Sequence, residues 1–179
     1  MSRYMRWNRT EHGEATRIAV TLLAGPVFLG LLPYAVAWVG PRVDRRLGLP
    51  PLRGGRVGRI MGGVVAAAGF SLGFWSVYAE LDRGRGTPLP IMPTQELLTD
   101  GPFRYCRNPM TAGAILAYLG VAVAARTPAG VALVFAFATW LLAYLKCLEE
   151  GELAERFGDA YLTYRRTTPF IVPRLPGRG

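Results

Sequence analysis

Two polar clusters beside long apolar blocks contain the residues of this sequence that are best suited to chemistry. The first cluster, residues 101–110, contains Arg104, Arg107 and Asn108. The second is the adjacent pair Glu149 and Glu150, which directly follows an apolar block. Acidic side chains at the end of a membrane span are costly, so a paired carboxylate there indicates a binding or catalytic role. For the pair taken alone, the alternative is a solvated surface next to the membrane.

The chain offers little material for other kinds of site. Its only cysteines, Cys106 and Cys147, lack metal-ligand spacing, and its single histidine, His12, lies in a polar N-terminal stretch. We therefore expect no metal site and no disulfide framework. The net charge of +9 at pH 7 would suit a nucleic-acid binder. The arginines, however, lie outside the apolar blocks, where they face lipid headgroups, so we expect membrane lipids as partners and no nucleic acid.

The composition predicts an all-α, multi-span membrane helix bundle of about four transmembrane helices. Hydrophobic residues make up 51% of the 179 positions and are grouped in long blocks, which is typical of bilayer-spanning helices. The predicted spans are residues 18–39, 60–79, 110–125 and 128–147. A C-terminal amphipathic helix follows, and residues 168–176 are predicted to be a non-helical tail. The apolar face of that helix is formed by Leu153, Phe157, Ala160, Tyr161 and Tyr164.

Helix-capping residues at the starts of the third and fourth spans predict where the two polar clusters lie. Asn108 and Pro109 predict an N-cap and first-turn proline for the third span, and Thr127 and Pro128 do the same for the fourth. Because these two spans then form a helical hairpin, the segments before and after it should meet at one membrane face. The two polar clusters are therefore expected to share one site.

Further patterns concern packing and orientation. Pro26 and Pro33 are expected to kink the first span. The glycines of the second span predict close helix packing, with ligand contact as the alternative; they are Gly58, Gly62, Gly69 and Gly73. We expect both termini to be cytoplasmic, because the larger share of Lys and Arg then falls on the inner side, although the arginine-rich loop between the first two spans opposes this rule. We expect one domain over residues 1–179, with two spans in residues 1–92 and a functional core in residues 93–173.

Several segments, in this order, resemble the isoprenylcysteine carboxyl methyltransferases and phospholipid methyltransferases, which are integral membrane enzymes. The family pattern is Gly-x-Tyr/Phe-x-x-x-Arg-His-Pro-x-Tyr, an apolar hairpin, Glu-Glu, Phe-Gly-x-x-Tyr-x-x-Tyr and a proline-bounded tail. The corresponding segments here are Gly101-Pro102-Phe103, Arg107-Asn108-Pro109, Glu149-Glu150, the run from Phe157 to Tyr164, and Pro169 to Pro173. The resemblance covers about residues 93–173.

The resemblance implies a methyltransferase that uses S-adenosyl-L-methionine and acts on a lipophilic small-molecule or lipid-anchored acceptor. Glu150 and Arg107 are the predicted catalytic residues, with headgroup anchoring as the alternative for Arg104 and Arg107. Carboxylates suit the cationic and hydroxyl groups of this cofactor, and a helix N-terminus suits its carboxylate. The cofactor-binding residues carried over are Gln95, Glu96, Leu97, Leu98, Phe103, Arg104, Asn108, Pro109, Met110, Thr111 and Glu149.

Departures from the family pattern leave the acceptor open. Asn108 replaces the histidine, Thr111 replaces the tyrosine, and Leu145 stands where the isoprenylcysteine branch has a substrate-binding arginine, with Lys146 beside it. Three hypotheses remain. The first is methylation of a lipophilic carboxylate or thiol, and the second is methylation of a phosphatidylethanolamine amine. The third is a non-enzymatic membrane scaffold or small transporter.

Overall fold

The computed structural model describes residues 13–87 and 93–173, which form helices and loops and contain no β-strand. In chain order the α-helices are α1 (Glu14–Gly25), α2 (Leu32–Leu47), α3 (Gly55–Asp82), α4 (Pro109–Ala124), α5 (Pro128–Tyr144) and α6 (Glu150–Thr167). One π-helical turn, Pro26–Leu31, joins α1 to α2, and another, Leu145–Glu149, joins α5 to α6. A short 3-10 helix, Gly101–Arg104, precedes α4. The predicted all-α class is confirmed.

Three continuous helical segments are long and apolar enough to cross a membrane, namely Glu14–Leu47, Gly55–Asp82 and Pro128–Thr167. The remaining apolar helix, α4, is shorter at 16 residues. Large apolar side chains such as Leu23 and Trp140 are exposed on the outside of the bundle, where a bilayer would cover them. The predicted multi-span membrane bundle is therefore confirmed. The side on which the termini lie stays a prediction.

The first span is helical through both predicted proline positions, and the kinks expected there stay a prediction. Pro26 begins the π-helical turn, whose wider winding accommodates a residue that has no N–H group. The helix then runs through Pro33 and continues to Leu47, well beyond the predicted end at residue 39. This polar extension is held in place because the buried carboxylate of Asp44 accepts a hydrogen bond from the Ala129 N–H, at 2.9 Å.

The most extensive helix contact in the described chain joins α3 to α4. A Cβ atom on Gly62 would lie 2.7 Å from the Gly120 carbonyl oxygen, and one on Gly69 would lie 2.6 Å from the Gly113 carbonyl oxygen. Only glycine permits this approach, which confirms the packing role predicted for these two residues. Gly73 has open space around its Cβ position, and the nearest contact for Gly58 is 3.6 Å away. The predicted close packing is therefore wrong for Gly58, whereas the Gly73 backbone does lie against α4, since a Cβ on Gly113 would be 2.7 Å from the Gly73 nitrogen.

The α4–α5 hairpin forms as predicted. Its turn is fixed by Thr127, whose hydroxyl accepts a hydrogen bond from the Gly130 N–H at 3.0 Å, and Pro128 occupies the first helical position. Asn108 also stands at the N-cap position of α4, but its side chain makes no capping hydrogen bond. The predicted capping role of Asn108 is therefore wrong, and its amide has another partner in the C-terminal tail.

The C-terminal helix is continuous with the last span, whereas the sequence predicted a separate element after Cys147. The π-helical turn Leu145–Glu149 carries the chain from α5 into α6 without a break. The direction changes instead at Gly158, whose φ of 53° is in the left-handed region. On the predicted apolar face, Tyr161 and Tyr164 are buried while Ala160 is exposed. Residues 168–173 are non-helical as predicted, and residues 174–176 lie outside the described residues.

Candidate active site

A pocket lies where the C-terminal end of α3, the segment before α4 and the junction of α5 with α6 meet. Its polar lining consists of Glu80, Thr94, Arg107, Asn108, Glu149 and Glu150. The hairpin prediction required the segment before α4 and the segment after α5 to come together, and in the structure they line the same pocket. The pocket together with the open space at its mouth contains about 530 Å³ that no protein atom fills.

The rest of the lining is apolar or aromatic and packs as one cluster. Phe103, Tyr161 and Tyr164 are buried, and Leu97 and Leu98 pack against them. The Tyr164 hydroxyl donates a hydrogen bond to the Phe103 carbonyl oxygen at 2.7 Å, which fastens the 3-10 helix to α6. These contacts give the pocket a rigid, water-excluding wall. Leu145 and Leu153 complete the lining.

Arg107 and Glu150 form a buried ion pair across the pocket. Their side chains are 8% and 7% exposed, and the Arg107 guanidinium binds Glu150 Oε1. Lys146 Nζ lies 2.8 Å from Glu150 Oε2, and Arg107 also donates to the Tyr161 hydroxyl at 3.4 Å. The charge of Glu150 is therefore neutralised by side chains of the protein itself.

The C-terminal tail is tied to the same corner. The Arg107 N–H donates to the Pro169 carbonyl at 2.8 Å, and Arg107 Nε donates to the Thr168 carbonyl at 3.0 Å. The Asn108 side-chain amide donates to the Phe170 carbonyl at 2.9 Å, which explains why it does not cap α4. The tail thus holds Arg107 and Asn108 in position from the side of the α6 C-terminus.

Two carboxylates in the pocket lack such partners. The half-buried side chain of Glu149 forms no hydrogen bond or ion pair with the residues that the structure describes. Glu80 Oε2 is enclosed and likewise has no hydrogen-bond partner within residues 13–87 and 93–173. An enclosed carboxylate without a partner is unfavourable, so both side chains are poised to bind a cation or hydroxyl groups.

The buried thiol of Cys106 lies close in sequence to the site but is unsuited to covalent chemistry. Burial raises the pKa of the Cys106 thiol, and a backbone hydrogen bond from Asn108 lowers that pKa by a smaller amount. The thiol therefore stays protonated near neutral pH and is a poor nucleophile.

The structure brings only part of the predicted site together. The predicted residues that line the pocket are Leu97, Leu98, Phe103, Arg107, Asn108, Glu149 and Glu150, and those that do not are Gln95, Glu96, Arg104, Pro109, Met110 and Thr111. The Gln95 backbone N–H donates to the Gly84 carbonyl at 2.7 Å, and exposed Glu96 pairs with Arg85 at 3.5 Å. Arg104 is exposed, whereas Pro109 and Thr111 are buried in the start of α4.

Sequence reasoning missed Glu80 and Thr94, and for Tyr161 and Tyr164 it favoured a packing role over ligand contact. For Glu80 a usable signal exists. It is an acidic residue directly after the apolar block 60–79, which is the same cue that singled out Glu149 and Glu150. Thr94 carries no comparable signal in the sequence.

The fold and the pocket define a class of multi-span helical membrane proteins with a polar site at the ends of the helices. The sequence model of one family, described as phospholipid methyltransferase, matches residues 57–160. No curated protein and no solved structure gave a significant match to the chain. The matched region runs from α3 into α6 and includes Glu80, Arg107, Asn108, Glu149 and Glu150. The chain belongs to the phospholipid methyltransferase family, whose activity is methyl transfer at membranes.

Proposed function

We propose that this protein transfers a methyl group from S-adenosyl-L-methionine to a lipophilic or lipid-anchored acceptor at the membrane interface. The observation that carries the proposal is the contrast between the adjacent residues Glu149 and Glu150. Glu150 is neutralised by Arg107 and Lys146, whereas Glu149 lines the same pocket without a partner among the described residues. A half-buried, uncompensated carboxylate is expected to receive a ligand with positive charge or hydroxyl donors.

The described pocket residues fit this cofactor. The cofactor supplies an electrophilic methyl group on a positively charged sulfur, together with an ammonium group, ribose hydroxyls and an adenine ring. Glu149 suits the cationic or hydroxyl groups. The apolar side chains of Leu97, Leu98 and Phe103 suit the flat ring. These four residues all belong to the set that the family resemblance implies.

The contribution of the protein is mainly alignment and exclusion of water. Direct displacement requires the reacting atoms to lie about 3 to 3.5 Å apart and in line, with little acid–base chemistry. The Arg107–Glu150 pair and the Tyr164–Phe103 hydrogen bond hold the segment before α4 rigidly against α6. In this scheme Arg107 and Glu150 position the site, which departs from the catalytic role expected from the sequence. Glu149 is the group placed to accept a proton when the acceptor is an ammonium.

Among acceptors, an amine headgroup such as that of phosphatidylethanolamine is favoured over a prenylcysteine carboxylate. Recognition of a carboxylate would require a free cation in the pocket. Of the described lysines and arginines, only Arg107 lines the pocket, and it is paired with Glu150. Lys146, the candidate to replace the missing arginine, also binds Glu150, at 2.8 Å. This distribution of charge supports an acceptor that is itself positively charged before it loses a proton.

Methyl transfer is tested by incubating the purified protein with cofactor labelled on its methyl group and a total lipid extract. We expect label in lipid headgroups that is stable to base. Base-labile label in a methyl ester would instead support a carboxylate acceptor. If the wild-type protein transfers no label, the scaffold or transporter hypothesis replaces the proposal. If Glu149→Gln transfers as much label as wild type, the role proposed for Glu149 is wrong.

A further inference from the structure

The wall of the pocket contributed by α3 contains an acidic residue to which neither the family pattern nor the sequence analysis gives a role. Glu80 lies in the last turn of α3, which ends at Asp82. The loop that follows folds back over this turn, because the Gly86 N–H donates to the Glu80 carbonyl at 3.2 Å and the Gln95 N–H donates to the Gly84 carbonyl at 2.7 Å. The backbone that carries the Glu80 side chain is thus fixed from both sides.

The Glu80 carboxylate lacks a cation within the described chain. Its Oε2 atom is enclosed and accepts no hydrogen bond. Arg17, which reaches the same end of α3, donates to the backbone carbonyl of Leu81 at 3.2 Å. The only described basic residue that lines the pocket is Arg107, whose guanidinium binds Glu150. The protein therefore places a second carboxylate in the pocket without neutralising it.

The two arginines of the loop that follows α3 form ion pairs with other carboxylates. Arg83 pairs with Asp100, and Arg85 pairs with Glu96 at 3.5 Å on the exposed surface. Glu149, which lines the same pocket, adds a further negative charge that repels Glu80 electrostatically. The repulsion between two carboxylates in one pocket is relieved when a positive charge lies between or beside them, or when one of them takes up a proton.

We propose that Glu80 and Glu149 act together as a two-carboxylate clamp for an organic cation of the sulfonium or ammonium type. This inference rests on the proposed function and deepens it, because such a cation is present in both reaction partners. One source is the sulfonium of the methyl donor, and the other is the protonated amine of a lipid headgroup. In either case Glu80 contributes binding energy for the charge and is distinct from the residues that align the reaction.

The clamp is tested with the substitution Glu80→Gln, which removes the charge and keeps the shape of the side chain. Glu155→Gln is the matched control, because Glu155 is an exposed carboxylate on α6 outside the pocket. Glu80→Asp keeps the charge and is expected to retain most of the binding. Thermal unfolding of each variant in detergent establishes that the fold is intact.

The first arm compares S-adenosyl-L-methionine with S-adenosylhomocysteine by isothermal titration, because only the former carries a sulfonium. If the clamp holds the sulfonium, Glu80→Gln weakens S-adenosyl-L-methionine binding about tenfold and changes the affinity for S-adenosylhomocysteine less than about twofold. The second arm measures binding of phosphatidylethanolamine relative to phosphatidylglycerol by native mass spectrometry. If the clamp holds the headgroup amine, the preference for phosphatidylethanolamine falls about tenfold in Glu80→Gln.

Either selective loss supports the clamp. It is overturned if Glu80→Gln behaves like Glu155→Gln in both arms, or if both nucleosides lose affinity equally while the lipid preference is unchanged. Failure of the proposed function has a different signature, namely a wild-type protein that binds neither nucleoside. In that case the measurement of phosphatidylethanolamine binding alone decides whether the clamp exists.

Discussion

Arg107 and Glu150 form a buried ion pair that joins the segment before α4 to the first residue of α6. The pair spans the mouth of the α4–α5 hairpin and lies beside the unpaired carboxylate of Glu149. Lys146 and the carbonyls of the C-terminal tail complete its hydrogen bonds. Because the guanidinium and the carboxylate satisfy each other, their main effect is to fix the geometry of the pocket.

The ion pair leads to a prediction about stability. Arg107→Met leaves a buried carboxylate with only the half-exposed Lys146 as partner, and we expect a loss of about 3 to 5 kcal/mol. The double variant Arg107→Met/Glu150→Leu removes both charges and should recover much of that loss. The measurement is the midpoint of unfolding in detergent. If Arg107→Met unfolds like wild type and loses only turnover, the catalytic role expected from the sequence is the better description.

A second prediction concerns Glu80 in the absence of ligand. Glu80→Gln removes an enclosed, uncompensated charge, so the ligand-free protein should be more stable by about 1 kcal/mol. We expect this gain in stability together with weaker ligand binding. A residue that lowers stability but strengthens binding is one whose role is functional. Thermal unfolding without added cofactor is the measurement. A lower melting temperature for Glu80→Gln than for Glu155→Gln would contradict the prediction.

The α3–α4 contact gives a matched pair of glycine substitutions. Gly62→Val places new atoms against the α4 backbone, where a Cβ would already lie 2.7 Å from the Gly120 carbonyl oxygen. We expect a loss of about 3 kcal/mol or failure to fold, because backbone atoms cannot move aside. Gly63→Val, one residue along on the open side of α3, meets nothing within 4 Å and should be close to neutral. Equal effects of the two substitutions in a folding assay would show that the helices do not pack through Gly62.

Cysteine reactivity tests the burial of the segment before α4. Burial raises the pKa of Cys106, so in the folded protein this thiol should remain protonated and resist alkylation at pH 8. The exposed Cys147 should react first. The measurement is mass spectrometry of the peptides after timed iodoacetamide treatment, with denatured protein as the reference. Alkylation of Cys106 at the rate seen in the denatured protein would contradict the packing described for residues 101–110.

The parts of the fold that the sequence predicted correctly are those set by local signals. Apolar blocks fix the spans because the bilayer demands them, and Thr127 and Pro128 fix the hairpin turn because cap chemistry acts within three residues. The meeting of Arg107 with Glu150 follows from the hairpin alone. The family resemblance, which rests on those same segments, is confirmed by the family match to residues 57–160.

The features that escaped prediction depend on long-range contacts. Asn108 has the residue type and position of a cap, but its amide binds the Phe170 carbonyl, 62 residues away in sequence. Glu80 enters the pocket because α3 packs along α4 and the following loop folds back, and neither event has a local signature. The unbroken passage from α5 into α6 arises from a π-helical turn, which the apolar pattern does not predict.

The central claim, that the pocket binds S-adenosyl-L-methionine through Glu149, is tested most directly by isothermal titration of the purified protein in detergent. The account predicts saturable binding by wild type and by the Glu155→Gln control, and binding at least about tenfold weaker in Glu149→Gln. Absence of binding by the wild-type protein, or equal affinity in Glu149→Gln and wild type, would contradict it.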